Sequence, residues 1–210
     1  MPMKWVGTFK FNSNSIIKIK IMKKIQYLNA TKILFVSLTA IAITSCSNDD
    51  NRPVNEEEVI TTVTTTLTNG SSTITLTSRD LDGDGPNAPV FTTSGNLAAN
   101  TVYNGEVRFL NETVTPAEDI TVEVEEEGED HQVFYQAPTA IGTFGYTDFD
   151  LNGKPVGLTF TLTTGNAGSG NVIVTLRHLP NKAAAGVATG DITNAGGATD
   201  ALVTYPVVIQ

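Results

Sequence analysis

From Val59 the chain alternates with a period of two. Val59, Thr61, Val63, Thr65 and Leu67 fall on one face and threonines fill the other. Only an extended strand sends successive side chains to opposite faces, so this segment is a strand with one side against a core. Asn69-Gly70 interrupts the run, and Ile74 and Leu76 resume the alternation, so the first two segments read as a hairpin. Further alternating runs lie at 102–110, 133–136, 141–147, 156–164, 171–179 and 201–209. Short strands spaced in this way predict an all-β fold, a single antiparallel β-sandwich of the immunoglobulin-like kind with one short helix, spanning 58–210. Thr-rich outer faces suit aligned sheets, and a domain of this length buries enough surface to fold alone.

Three segments depart from plain alternation. The last run contains Pro206, which cannot donate to a ladder, so it belongs at an edge or at a bulge. Thr115-Pro116-Ala117-Glu118 has the form of a capping box with proline at the first helical position. It predicts a helix that ends near Gly128 and turns Ile120 and Val124 inward; the competing reading takes Ile120, Val122 and Val124 as strand alternation. Residues 182–200 are small and Gly-rich with only Val187 and Ile192 to bury, which predicts a long loop.

Upstream of the sandwich the chemistry changes. Lysines at 23, 24 and 32 precede an apolar run from Ile33 to Ile43, followed by small residues and Cys46. A membrane-spanning anchor needs about 18 or more apolar residues, and this run is well short of that. Ile43-Thr44-Ser45-Cys46 resembles a slightly irregular lipobox, the cleavage signal of bacterial lipoproteins, which implies that Cys46 is the lipidated N-terminus of the mature chain. Cys46 is also the sole cysteine, so a disulfide framework is excluded. The expected organisation is a signal peptide over 1–45, with Met22 a plausible true start, an acidic tether over 46–57, and the sandwich beyond. The acidic residues after Cys46 resemble the surface-export signals of Bacteroidota lipoproteins; a plain solvated linker accounts for them equally well.

Charge divides at the same place. Seven of the 13 lysines and arginines precede Cys46 and all 22 acidic residues follow it, leaving six basic residues against 22 acidic ones and a formal charge of −16 on the mature chain. A surface of that sign argues against nucleic acid and anionic lipid as partners and favours cations, so membrane attachment is expected through the lipid alone.

Asp80-Leu81-Asp82-Gly83-Asp84-Gly85 sets carboxylates at every second position and closes with glycine. Oxygen ligands so spaced converge on one hard cation, which makes Asp80, Asp82 and Asp84 candidate Ca2+ ligands. Counted as a complete calcium loop the bidentate position falls on Phe91, so an acidic surface turn is the competing reading. Asp148-Phe149-Asp150-Leu151-Asn152-Gly153 is a weaker copy, better read as a hairpin turn. His131 and His178 have no second ligand at metal spacing, which points away from zinc. The acids from Glu123 to Asp130 could in principle supply paired carboxylates for a hydrolase, but such a run is usually a solvated helix face.

Thr77 to Pro86, Pro116 to Ile120 with Glu125-Glu126-Glu127 and His131-Gln132, and Asp191 to Gly197 together resemble small flavobacterial lipoproteins of unknown function. These often carry the label "type 1 periplasmic binding fold superfamily protein". That label implies two lobes around parallel sheets, whereas the alternation here implies an antiparallel sandwich. The expected function is a lipid-anchored, non-enzymatic binding or structural module of the outer membrane, stabilised by calcium. The alternatives are a solute- or glycan-binding lipoprotein and, third, a carboxylate-dependent hydrolase. Burial of Tyr103, Phe109, Phe134, Tyr135, Tyr146, Phe149 and Phe160 discriminates: aromatics packed inside mean a scaffold, and several exposed together mean a binding face.

Overall fold

The computed structural model describes residues 58–83 and 85–210. The segments expected to be signal peptide and tether, with Cys46, and also Asp84 lie outside the described residues. Strand β1 (Thr62–Asn69) turns through Gly70 and Ser71 into β2 (Ser72–Arg79), and Asn69 faces Ser72 across the turn. Gly70 has φ +57°, a conformation that only glycine adopts without cost, which is why the hairpin reverses there. The inward row is Thr61, just ahead of β1, then Val63, Thr65 and Leu67, as the alternation predicts, whereas Val59 lies before the paired segment and is exposed.

The remaining elements are β3 (Val90–Thr93), β4 (Val102–Asn111), β5 (Glu118–Asp119), helix α1 (Ile120–Glu126), β6 (His131–Gln136), β7 (Gly142–Tyr146), β8 (Thr159–Thr164), β9 (Gly168–His178) and β10 (Ala198–Ile209). They form two antiparallel sheets. The larger has the order β3-β2-β1-β4-β8-β7, with β5 added to β4, and the smaller has the order β10-β9-β6. The all-β sandwich with one short helix is therefore the architecture. Strands β3 and β5 were not legible as alternation, being respectively all exposed and two residues long.

The core lies between the sheets. Val63, Leu67, Val107, Phe109, Phe160 and Leu162 of the larger sheet meet Val133, Tyr135, Val172, Val174, Leu176 and Tyr205 of the smaller. Tyr205 also crosses the gap with its hydroxyl, which donates to the Val63 carbonyl at 2.8 Å. The Phe160 ring lies where a side chain on Gly105 would project, so only glycine lets β4 and β8 pair there.

Strand β10 is at an edge, as its proline requires, and separately carries a bulge between Thr199 and Ala201. The end of its outer edge is covered by Leu97 and Ala99, whose amides donate to the Val208 and Gln210 carbonyls, which closes that part of the ladder to another chain.

Helix α1 forms where Ile120 and Val124 face inward, but it starts later than the capping box predicts. Glu118 and Asp119 pair with Asn111 and Leu110 instead, and the helix is capped by Asp119, whose carboxylate accepts from the Thr121 amide. Competition from the β4 edge displaces the start. Thr121 Oγ1 then accepts from the Phe109 amide at 2.9 Å, which docks the helix onto β4. Residues 182–197 form a loop with two 3-10 turns, pinned by Val187 and Ala195 against Phe134, while 198–200, expected in the loop, open β10 because they pair with the end of β9.

Candidate functional site

The turn at which the sequence places calcium joins β2 to β3. The Asp80 amide donates to the Thr61 carbonyl at 2.7 Å, and Asp80 Oδ1 is buried with no hydrogen-bond partner among the described residues. Asp82 is exposed, and its Oδ2 accepts from the Asn87 side chain at 2.7 Å and the Asn87 amide at 3.2 Å. Those bonds hold its carboxyl below the usual carboxylate range.

The second acidic turn is an intramolecular lock. Asp148 accepts from the amides of Gly157 at 2.9 Å and Leu158 at 2.7 Å, and Asp150 Oδ1 accepts from those of Asn152 and Lys154. The buried Lys182 ammonium stands 2.9 Å from Asp150 Oδ2 and also donates to the carbonyls of Gly128 and Pro155. A lysine from the distant loop thus occupies the position a bound cation would take. Burial raises the Asp150 pKa, but the Lys154 amide and the Lys182 ammonium outweigh it and leave the carboxyl below its ordinary range.

Beside this turn runs a groove of about 610 Å³ between α1, β4 and the segment 148–158. Its walls carry Glu125, Glu126, Glu127, Glu129 and Asp130, and among the described residues Arg108 is the one basic group lining it. Phe149 and Leu151 stand on it with 56% and 95% of their surfaces exposed. Of the seven aromatic residues singled out above, Tyr103, Phe109, Phe134, Tyr135 and Phe160 are buried and Tyr146 is half-buried. Phe149 alone faces outward, so the aromatics build the scaffold and a single ring marks the groove.

Behind the groove lies a constellation assembled only by folding. His131 opens β6, His178 closes β9, and the ladder sets them directly opposite each other. Their rings stack with centroids 4.6 Å apart. Asp200 falls at the β10 bulge, between paired Thr199 and Ala201, and Glu58 lies just ahead of β1. His131 Nε2 is 3.5 Å from Glu58 Oε1 and 3.9 Å from Asp200 Oδ2, and the side chains of His131, Glu58 and Asp200 are 0%, 9% and 1% exposed. Nitrogens of both histidines and an Asp200 oxygen lie within 4.8 Å of one another, and a second such trio joins His131, Glu58 and Glu127.

Comparison with protein families, curated proteins and solved structures finds no match. What the centre can do follows from its own geometry. His131 Nδ1 lies 3.2 Å from the Glu127 carbonyl, which can only accept, so Nδ1 carries the proton. Burial keeps this imidazole below its ordinary pKa despite that bond, so Nε2 is a lone pair. It points at carboxylate oxygens, which are also acceptors. Burial, with Glu123, Asp200, Glu127 and Glu118 around it, pushes the Glu58 pKa up to about 7.

Sequence spacing missed this centre because it looked for ligands close together along the chain, and here they come from four separate segments. The available signal was that each histidine lies at the end of an alternating run. If those runs pair end to end, the histidines meet.

Proposed function

We propose that the chain is a lipid-anchored protein of the bacterial cell envelope, held at the outer membrane through Cys46, whose acidic sandwich serves as a binding or structural module rather than as an enzyme. The observation that carries this reading is the lone cysteine placed directly after a short apolar run behind a basic segment. Among the described residues no helix is long and apolar enough to cross a membrane. The residues 46–57 act as the tether, and the acid-lined groove with Phe149 and Leu151 is the surface suited to a cationic ligand with an apolar part. Nucleic acid is a poor partner for such a surface. Calcium stabilises the β2–β3 turn through Asp80, Asp82 and Asp84, a role supported by the buried Asp80 oxygen that lacks a partner.

The test is metabolic labelling with an alkyne-bearing fatty acid, comparing the natural chain with Cys46→Ser and following both through membrane fractionation. Label on the natural chain alone, with the variant lost from the membrane fraction, is the expected result. Equal labelling, or membrane retention of the unlabelled variant, would refute the anchor.

A further inference from the structure

We propose that His131, His178, Asp200 and Glu58 form a binding site for one transition-metal dication, with Zn2+ the ion that this donor set suits best. The inference concerns the sandwich alone and stands whether or not Cys46 is lipidated. It also stands apart from the calcium turn, which lies on other strands.

Four observations carry it. The first is the direction of the His131 lone pair. With Nδ1 donating to the Glu127 carbonyl, Nε2 faces Glu58 and Asp200 inside a site almost closed to water. A buried lone pair facing the Glu58 carboxylate is unfavourable until something positive lies between them. Among the described residues, His131 Nε2 and Glu58 Oε2 are both buried without a hydrogen-bond partner, as is His178 Nδ1.

The second is spacing. Ligands about 2.0–2.1 Å from a tetrahedral zinc stand roughly 3.3–3.4 Å from one another. The 3.5 Å and 3.9 Å separations around His131 Nε2 are close to those of a coordination shell.

The third is donor chemistry. Two imidazoles with carboxylates fit zinc and its first-row neighbours, whereas calcium and magnesium take oxygen alone. Two carboxylates also balance one dication.

The fourth is support. A histidine that binds metal characteristically gives its other ring N–H to a carbonyl or carboxylate, which fixes the tautomer and aims the ring. Here the Glu127 carbonyl, just past the end of α1, does this for His131. Strand pairing and stacking hold His178, and the bulge turns Asp200 toward both.

The competing occupant is a proton on Glu58, and the experiment separates the two. The chain from Glu56, which forms a compact unit of its own, is prepared without a histidine tag and stripped with chelator. It is titrated with Zn2+ by calorimetry, with Co2+ by absorption, and with Ca2+ as competitor. One zinc per chain is expected, with cobalt bands of a four- or five-coordinate nitrogen–oxygen site and no displacement by equimolar calcium. His178→Gln and Asp200→Asn should each weaken zinc by about 100-fold, the upper end of what loss of even a supporting partner costs.

Since His131 is wholly buried, its replacement risks unfolding the domain, and the natural chain supplies the independent readout. On adding zinc, the ring 15N shift of His131 Nε2 should move to a metal-bound value while Nδ1 stays protonated. Unchanged ring shifts at saturating zinc, zinc affinity unaltered in both variants, or ready displacement by calcium would each overturn the proposal.

Discussion

His131 and His178 face each other across the β6–β9 ladder with ring planes 24° apart and centroids 4.6 Å apart. Stacking of this kind removes rotational freedom from both rings before any ligand arrives, so a cation meets a preorganised pair and little ordering cost remains. Zinc supplied at about 100 times its Kd should therefore stabilise the domain by about 2.7 kcal/mol, a rise of several degrees in Tm. Scanning fluorimetry of the stripped domain with and without zinc measures it, and an unmoved Tm would mean that the pair is a packing feature only.

The sheets are joined by polar contacts as well as by the core, from Tyr146 to the Val133 carbonyl and from Tyr205 to the Val63 carbonyl. Tyr205→Phe removes the hydroxyl that donates to the Val63 carbonyl while keeping the ring that meets Phe91 edge-on. A loss of about 1–2 kcal/mol in urea unfolding is expected, the ordinary cost of a buried hydrogen bond. A variant as stable as the natural chain would show that the ring alone carries this junction.

The Asp150–Lys182 pair is buried, at 2% and 7% side-chain exposure. Asp150→Asn leaves the ammonium with carbonyl partners only and should cost about 3 kcal/mol, whereas the double change Asp150→Asn with Lys182→Met should cost less, because no uncompensated charge stays behind. Chemical denaturation of the three proteins decides the order.

The same pair sets a pH dependence. The Asp150 carboxyl is held below its ordinary value of 3.8 in the folded chain, so its contribution is complete above that value and disappears as pH falls through the lower folded one. The natural chain should lose more stability than Asp150→Asn on acidification below about pH 4. Parallel losses in the two proteins would place the acid sensitivity elsewhere.

Calcium at about ten times its Kd should stabilise the natural domain by about 1.4 kcal/mol through the β2–β3 turn, and Asp82→Ala with Asp84→Ala should abolish the gain. No gain even at about 10 mM would return this segment to an acidic turn closed by Asn87, since even sites of millimolar affinity register there.

Much of the sandwich was legible along the chain. The inward row of β1, the reversal at Gly70, the edge placement of the Pro206 strand and the burial of Ile120 and Val124 all follow from periodicity and from backbone limits that a few neighbouring residues impose. The division of the strands into two sheets did not, nor did the register that sets His131 against His178. The start of α1 was captured by pairing of Glu118 and Asp119 with β4, and Lys182 filled the second acidic turn from a distant loop. Which face a residue takes is a local property of the backbone. Which residues meet across a ladder depends on long-range pairing, where a slip along the strand changes every partner, and only burial of the whole core selects one register. The histidine centre exists because that selection was made.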